Sequence, residues 1–185
     1  MRVLVAGIGY RNLRDHSVGG AVADRLAERA WPGDVVVEDL SYNPIAVVQR
    51  LQDEPADRPF DRVVVVGSVE RPGRRAGTVT AYRWDGVLPP ADEIQRAVTE
   101  AVTGVIALDN TLVVARHFGP LPDDVVVIEV EPAEHEFGDG FSESVARACE
   151  TACAMAIALA THADAAAQLP RAPLGGAVPA EVRGR

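Results

Sequence analysis

The sequence contains no lysine, so all 18 of its basic residues are arginine. That excludes a Walker-type phosphate loop, which needs a lysine ammonium on the phosphates. Cysteine is scarce as well, with only Cys149 and Cys153 present. Four residues apart in a helical pattern, they share a helix face, which does not suit a short disulfide loop. With neither metal-ligand partners nor a cationic cluster nearby, they are expected to be buried, unreactive thiols. Aromatic residues make up 5% of the chain, so the core has to be built from small and branched aliphatics. No apolar run approaches the roughly 20 residues of a membrane span, and Met1 leads straight into a strand pattern rather than a cationic leader. A soluble, cytoplasmic protein is expected. Positive charge is also in deficit: the net charge of -9 argues against nucleic acid or an anionic membrane as a partner.

What is present is an alternation of strand and helix patterns. The stretch RVLVAGIGYRNLRDHSVGG runs from an apolar strand through a Gly7-x-Gly9 turn and a polar loop to a helix start at Gly19. Apolar and small residues at Gly19, Val22, Ala23, Leu26, Ala27 and Ala30 mark one face of that helix. Strand patterns follow at 34–39 (DVVVED), from 62 to 66 (RVVVV), at 79–83 at a possible sheet edge, and at 125–130 (VVVIEV). The 62–66 run is almost wholly apolar, as in strands buried on both faces of a parallel sheet. Helix patterns cover 44–51, the segment from Pro90, 108–117, and 142–161 with Ser142 as N-cap. The predicted architecture is α/β and three-layered, with a twisted, mostly parallel sheet flanked by helices. Residues 1–162 form one domain, and 163–185, which lose periodicity and gain proline and glycine, read as a flexible tail.

Functional groups collect at the carboxyl ends of strands in such sheets, which directs attention to the first loop. The dinucleotide fingerprint is incomplete there, because a third glycine is missing at Asn12; Asp39 fits a ribose-binding acid only loosely, and tight-turn geometry accounts for the two glycines. His16, beside Asp15, has the chemistry of a metal ligand or general base, or of a solvated loop histidine. His135 lies in PAEHEFGDG, where Glu134, His135, Glu136 and Asp139 offer donors for a divalent ion, although adjacent residues seldom point at one centre. His117 suits a helix C-terminus, and His162 has no assigned role. Among Ser17, Ser41, Ser68 and Ser142, none sits in a Gly-x-Ser-x-Gly turn.

The order of these segments resembles the nickel-iron hydrogenase maturation endopeptidases over about residues 1–160. Gly7, Gly9, Asp15 and Gly19 fall in register with that family's opening strand, Gly-x-Gly turn, acidic loop and helix start. The likeness continues through Asp39, RVVVVGSV, AGTVTAYR, FGPLPDDVVVIEVEP and GFSESVARA. It implies the family's fold and removal of a carboxy-terminal extension from a hydrogenase large subunit, with nickel recognised through three side chains. Those three positions correspond to His16, Gly67 and a residue near Gly104. The family's Asp-Ala pair is Gly67-Ser68 here, and the asparagine after Gly-x-Gly is Tyr10. Glycine has no donor atom, so two of the three positions cannot coordinate.

The resemblance therefore implies a maturation-protease-like protein that recognises or helps to assemble a protein partner, with no cofactor expected. The alternative is a working endopeptidase on a hydrogenase-like large-subunit precursor, with nickel recognised by His16 and with Asp109 or Glu70 as substitute ligands. Asp15, His16, Asp39, Ser68, Glu70 and Asp109 are the candidate cleft residues. A small-ligand module using the Gly7 to His16 loop is a third reading.

Overall fold

Runs of valine form the centre of the molecule. In the computed structural model, which describes residues 1–119 and 121–176, they lie in β1 (Arg2–Ile8), β2 (Asp34–Asp39), β3 (Arg62–Ser68) and β5 (Asp124–Val130), while β4 (Val79–Trp84) and the two-residue β6 (Arg171–Ala172) complete one sheet. The strand order is β2-β1-β3-β5-β4-β6. The first four of these are parallel, and β4 runs antiparallel to β5. The architecture predicted from the sequence is present, as a mixed, mostly parallel sheet. β4 lies one strand in from the edge, because β6 covers the end of it.

Strand side chains alternate between faces, which splits the core in two. Leu4, Ala6, Ile8, Val63 and Val65 face α2 (Pro44–Gln52), α3 (Ala91–Val102) and α4 (Leu108–His117). Val3, Val5, Val64 and Val66 face α1 (Val18–Ala27) and α5 (Glu143–Thr161). Helix α1 ends three residues before the expected Ala30, where the Trp31 indole N–H donates to the Leu26 carbonyl at 3.2 Å. Among the described residues, α5 is the helix long and apolar enough to cross a membrane. Its apolar face, including Val145, Cys149, Cys153 and Ala156, packs on the sheet, so the core accounts for that composition. The two thiols are buried and unpaired, as expected.

The segment after α5 departs from the loose tail that its composition predicts. Residues 163–168 form a 3-10 turn, and β6 pairs with the end of β4. Two buried polar centres hold it there. Arg62, 5% exposed, pairs with Asp124 at 2.7 Å and donates to the carbonyls of Leu159 (2.8 Å) and Ala163 (2.9 Å). A cation thereby satisfies acceptors left over at the end of α5. The second centre is Glu129, which is 0% exposed. It accepts from Arg71 and Tyr82 at 2.6 and 2.8 Å and pairs with Arg74. Arg74 and the Tyr82 hydroxyl then bind the Gly175 carbonyl and amide at 2.9 and 3.0 Å. The expected tail beyond residue 176 lies outside the described residues.

Burial opposes ionisation of Glu129, but hydrogen bonds from Arg71, Arg74 and Tyr82 outweigh it and hold the carboxyl below its ordinary range. Its stabilisation is therefore present at neutral pH and disappears as pH falls through the depressed folded value. Glu129→Gln, which leaves two guanidiniums short of an anion, is expected to cost about 3–5 kcal/mol in urea unfolding at pH 7. The variant should also lose less further stability than the parent as the medium is acidified below the usual carboxylate range.

Candidate functional site

The chain passes from β1 to β2 on one side and returns to β3 on the other, which opens a crevice at the carboxyl ends of β1 and β3. Ile8 and Gly67 stand side by side at its floor. The glycines around it are required by close approach: a Cβ on Gly7 would lie 2.1 Å from the Gly19 carbonyl oxygen, and one on Gly9 would lie 2.2 Å from that of His16. This lets α1 pack directly on β1 and folds the loop tightly enough for the Tyr10 amide to donate to the His16 carbonyl at 3.0 Å. Gly9, Tyr10, His16, Ser68, Glu70 and the 106–109 stretch line a cleft of about 220 Å³. The Tyr10 hydroxyl accepts from the Ile106 amide at 2.7 Å, which anchors that stretch over the cleft.

Three loops bring His16, Glu70 and His135 together. His16 Nε2 is 2.8 Å from His135 Nδ1, which in turn is 3.4 Å from Glu70 Oε1. On its other side, His16 Nδ1 shares a 3.0 Å hydrogen bond with Ser68 Oγ. His16 is partly buried, whereas the Glu70 and His135 side chains are 64% and 54% exposed. Burial, and then the neighbouring His135, push the His16 pKa below its ordinary value, while Glu70 and Asp15 pull it back. A neutral His16 ring keeps one nitrogen lone pair free for a proton or a cation.

Asp15 supports this arrangement from behind rather than lining the cleft. It is 0% exposed, and its oxygens accept from the amides of Ala133 (2.8 Å), Glu134 (3.0 Å) and Ser142 (2.8 Å) and from the Ser142 hydroxyl (2.9 Å). Burial raises its pKa, but these donors lower it further than burial raises it. The loop is also stitched by backbone bonds from Arg14 to Gly138 (3.1 Å) and from Gly138 to Asn12 (3.0 Å), and by the Arg14–Glu134 ion pair at 2.8 Å. His135, one residue beyond Glu134, is thereby held opposite His16.

The other sequence candidates are placed differently. Asp39 accepts from Arg11 at 2.6 Å and from the Ser41 amide at 3.1 Å, outside the cleft. Asp109 borders the cleft, but Arg71 grips it with two bonds of 2.7 and 2.8 Å. Gly104 sits in the turn between α3 and α4 at φ +89° with open space around it. Gly67 is the opposite case, since a Cβ there would lie 2.8 Å from Leu108 Cδ1 and 2.9 Å from the Ile8 carbonyl oxygen. Of the acidic-loop residues weighed together with His135, Glu134 turns to Arg14 instead. Sequence spacing does not join His135 to His16, because 119 residues separate them.

An α/β protein with a histidine-bearing cleft at the switch point of its sheet is the class that this architecture defines. No protein-family model and no curated protein matches the chain. Solved structures do match: a hydrogenase 2 maturation peptidase from a Thaumarchaeota archaeon has a TM-score of 0.60 at 25% identity, over 88% of this chain and 100% of that one. The hydrogenase maturating endopeptidase HybD from E. coli has a TM-score of 0.63 at 20% identity, over 86% and 91%. The nickel-iron hydrogenase maturation protease HycI from Thermococcus kodakarensis has a TM-score of 0.55 at 19% identity, over 87% and 93%. The chain thus shares the fold of these hydrogenase maturation proteases.

Asp15→Ala should cost about 2–4 kcal/mol in denaturant unfolding, since it strips charge-assisted bonds from three part-buried amides. Amide exchange at Ala133, Glu134 and Ser142 is expected to accelerate more than exchange in β2, which checks that the loss is local.

Proposed function

We propose that the chain is a maturation-protease-like recognition factor that engages a protein partner at the β1–β3 cleft without the ligand set its resemblance implies for nickel recognition. The observation that carries this reading is Gly67. Its position has no donor atom, and Leu108 and the Ile8 carbonyl occupy the space a side chain would need. The substitute Asp109 is committed to Arg71. The fold is shared over 91% of a hydrogenase maturating endopeptidase, and a hydrogenase-like large-subunit precursor is the partner class this likeness favours.

A second reading, an active endopeptidase on such a precursor, is favoured by one observation: His16 and Glu70 do converge, with His135 beside them. Co-expression with a large-subunit precursor separates the two readings. A stable complex with the precursor at full length is expected. Accumulation of a shortened product that vanishes with His16→Ala would instead establish proteolysis. Gly67→Asp should not install the missing position: overpacking against Leu108 and the strand is expected to lower stability by about 1–3 kcal/mol, read from the urea midpoint.

A further inference from the structure

We propose that His16, Glu70 and His135 bind one borderline divalent transition-metal ion of the zinc class, held by this chain alone through a ligand set of its own. The inference goes beyond partner recognition, because it needs no partner. His16 comes from the loop after β1, Glu70 from the segment after β3, and His135 from the loop after β5. Each offers one donor atom, and these atoms all lie within 4.8 Å of one another. Ligands about 2.0–2.1 Å from a tetrahedral ion stand about 3.3 Å apart. The 2.8 Å between the two histidines and the 3.4 Å between His135 and Glu70 lie on either side of that spacing, and the remaining pair, His16 and Glu70, lies within 4.8 Å.

Three features give this cluster the make-up of a site. Two imidazoles and one carboxylate suit zinc and its first-row neighbours, whereas magnesium and calcium prefer all-oxygen shells. The ring nitrogen of His16 that faces away from the cluster is within hydrogen-bond reach of Ser68 Oγ, at 3.0 Å. With Nδ1–H donating to Ser68, the Nε2 lone pair points at the cluster, an outer-shell arrangement that fixes ligand tautomer and ring orientation. Finally, Asp15 binds the amides of Ala133 and Glu134 next to His135, so the two histidines are held opposite each other by a buried carboxylate rather than by chance contact of mobile chains. Three protein ligands leave a fourth position open for water or a donor atom from a bound molecule. Both Glu70 and His16 line the cleft in which such a molecule would sit.

The test uses the purified full chain, stripped with a chelator and titrated with Zn²⁺ in competition with a chromophoric chelator. One equivalent is expected to bind, and Co²⁺ substitution should give the visible absorption of a four- or five-coordinate ion. His16→Ala and His135→Ala should each weaken Zn²⁺ binding by about 100-fold or more, and Glu70→Gln by at least about tenfold. Ser68→Ala should weaken it about tenfold, and Ser68→Thr, which keeps the hydroxyl, should restore most of the loss. His117→Ala, at the far end of α4, should leave affinity unchanged. If His16→Ala fails to fold by circular dichroism, the exposed His135 and Glu70 variants decide the matter. Substoichiometric binding, or the same affinity in His135→Ala and Glu70→Gln as in the parent, would overturn the proposal. Because no partner is present, its failure is separate from failure of the recognition reading.

Discussion

The Asp15 carboxylate is the constraint on which the cleft depends. A buried anion is costly unless donors surround it, and here three backbone amides and a hydroxyl do so. Those donors belong to the loop after β5 and to the N-terminus of α5, while the carboxylate belongs to the loop after β1. One side chain thus fastens three elements at the end of the sheet. Ser142 contributes twice, since its hydroxyl binds Asp15 and also accepts from the Val145 amide at 3.4 Å as the N-cap of α5. The helix start and the cleft wall are thereby coupled, so the positions of His16 and His135 are set from the interior.

A second buried anion, Glu129, organises the opposite side of the same region. It gathers Arg71, Arg74 and Tyr82, and through Arg71 it withdraws Asp109 from the cleft. The two centres explain why some acids near the cleft mouth are available and others are not. Among the described residues, Glu70, one residue before Arg71, has no arginine partner and turns to His135. Asp109 belongs to the arginine network. Apart from Tyr10, whose hydroxyl accepts from the Ile106 amide, the polar side chains lining the cleft outside the arginine network are His16, Ser68 and Glu70, over a floor where a Cβ on Gly67 would meet Leu108 and the Ile8 carbonyl.

Much of the fold was legible in the chain. The run RVVVV reads as a strand buried on both faces and takes that place in β3, VVVIEV reads as a strand and falls in β5, and DVVVED takes β2 with the expected bounds. Ser142 as the N-cap of α5 and the Cys149–Cys153 pair as buried thiols follow from local rules of capping and helical spacing. The docked stretch 163–176 was not legible, because what retains it is Arg62 and the Glu129 network, whose partners lie up to 101 residues away. Composition reports only that such a stretch has little apolar surface of its own to bury.

The sequence by itself determined the layered α/β architecture and the Gly7-x-Gly9 loop as the place to look. Periodicity and close glycine approach are local and leave their trace in consecutive residues. It also determined that Gly67 offers no ligand. Only the tertiary structure decided which donors meet: His135 joins His16 and Glu70, Asp39 stays with Arg11, and Asp15 turns inward. Each of those outcomes depends on which charges find partners once burial has made an unpartnered charge expensive, and that competition is settled among residues far apart in the chain.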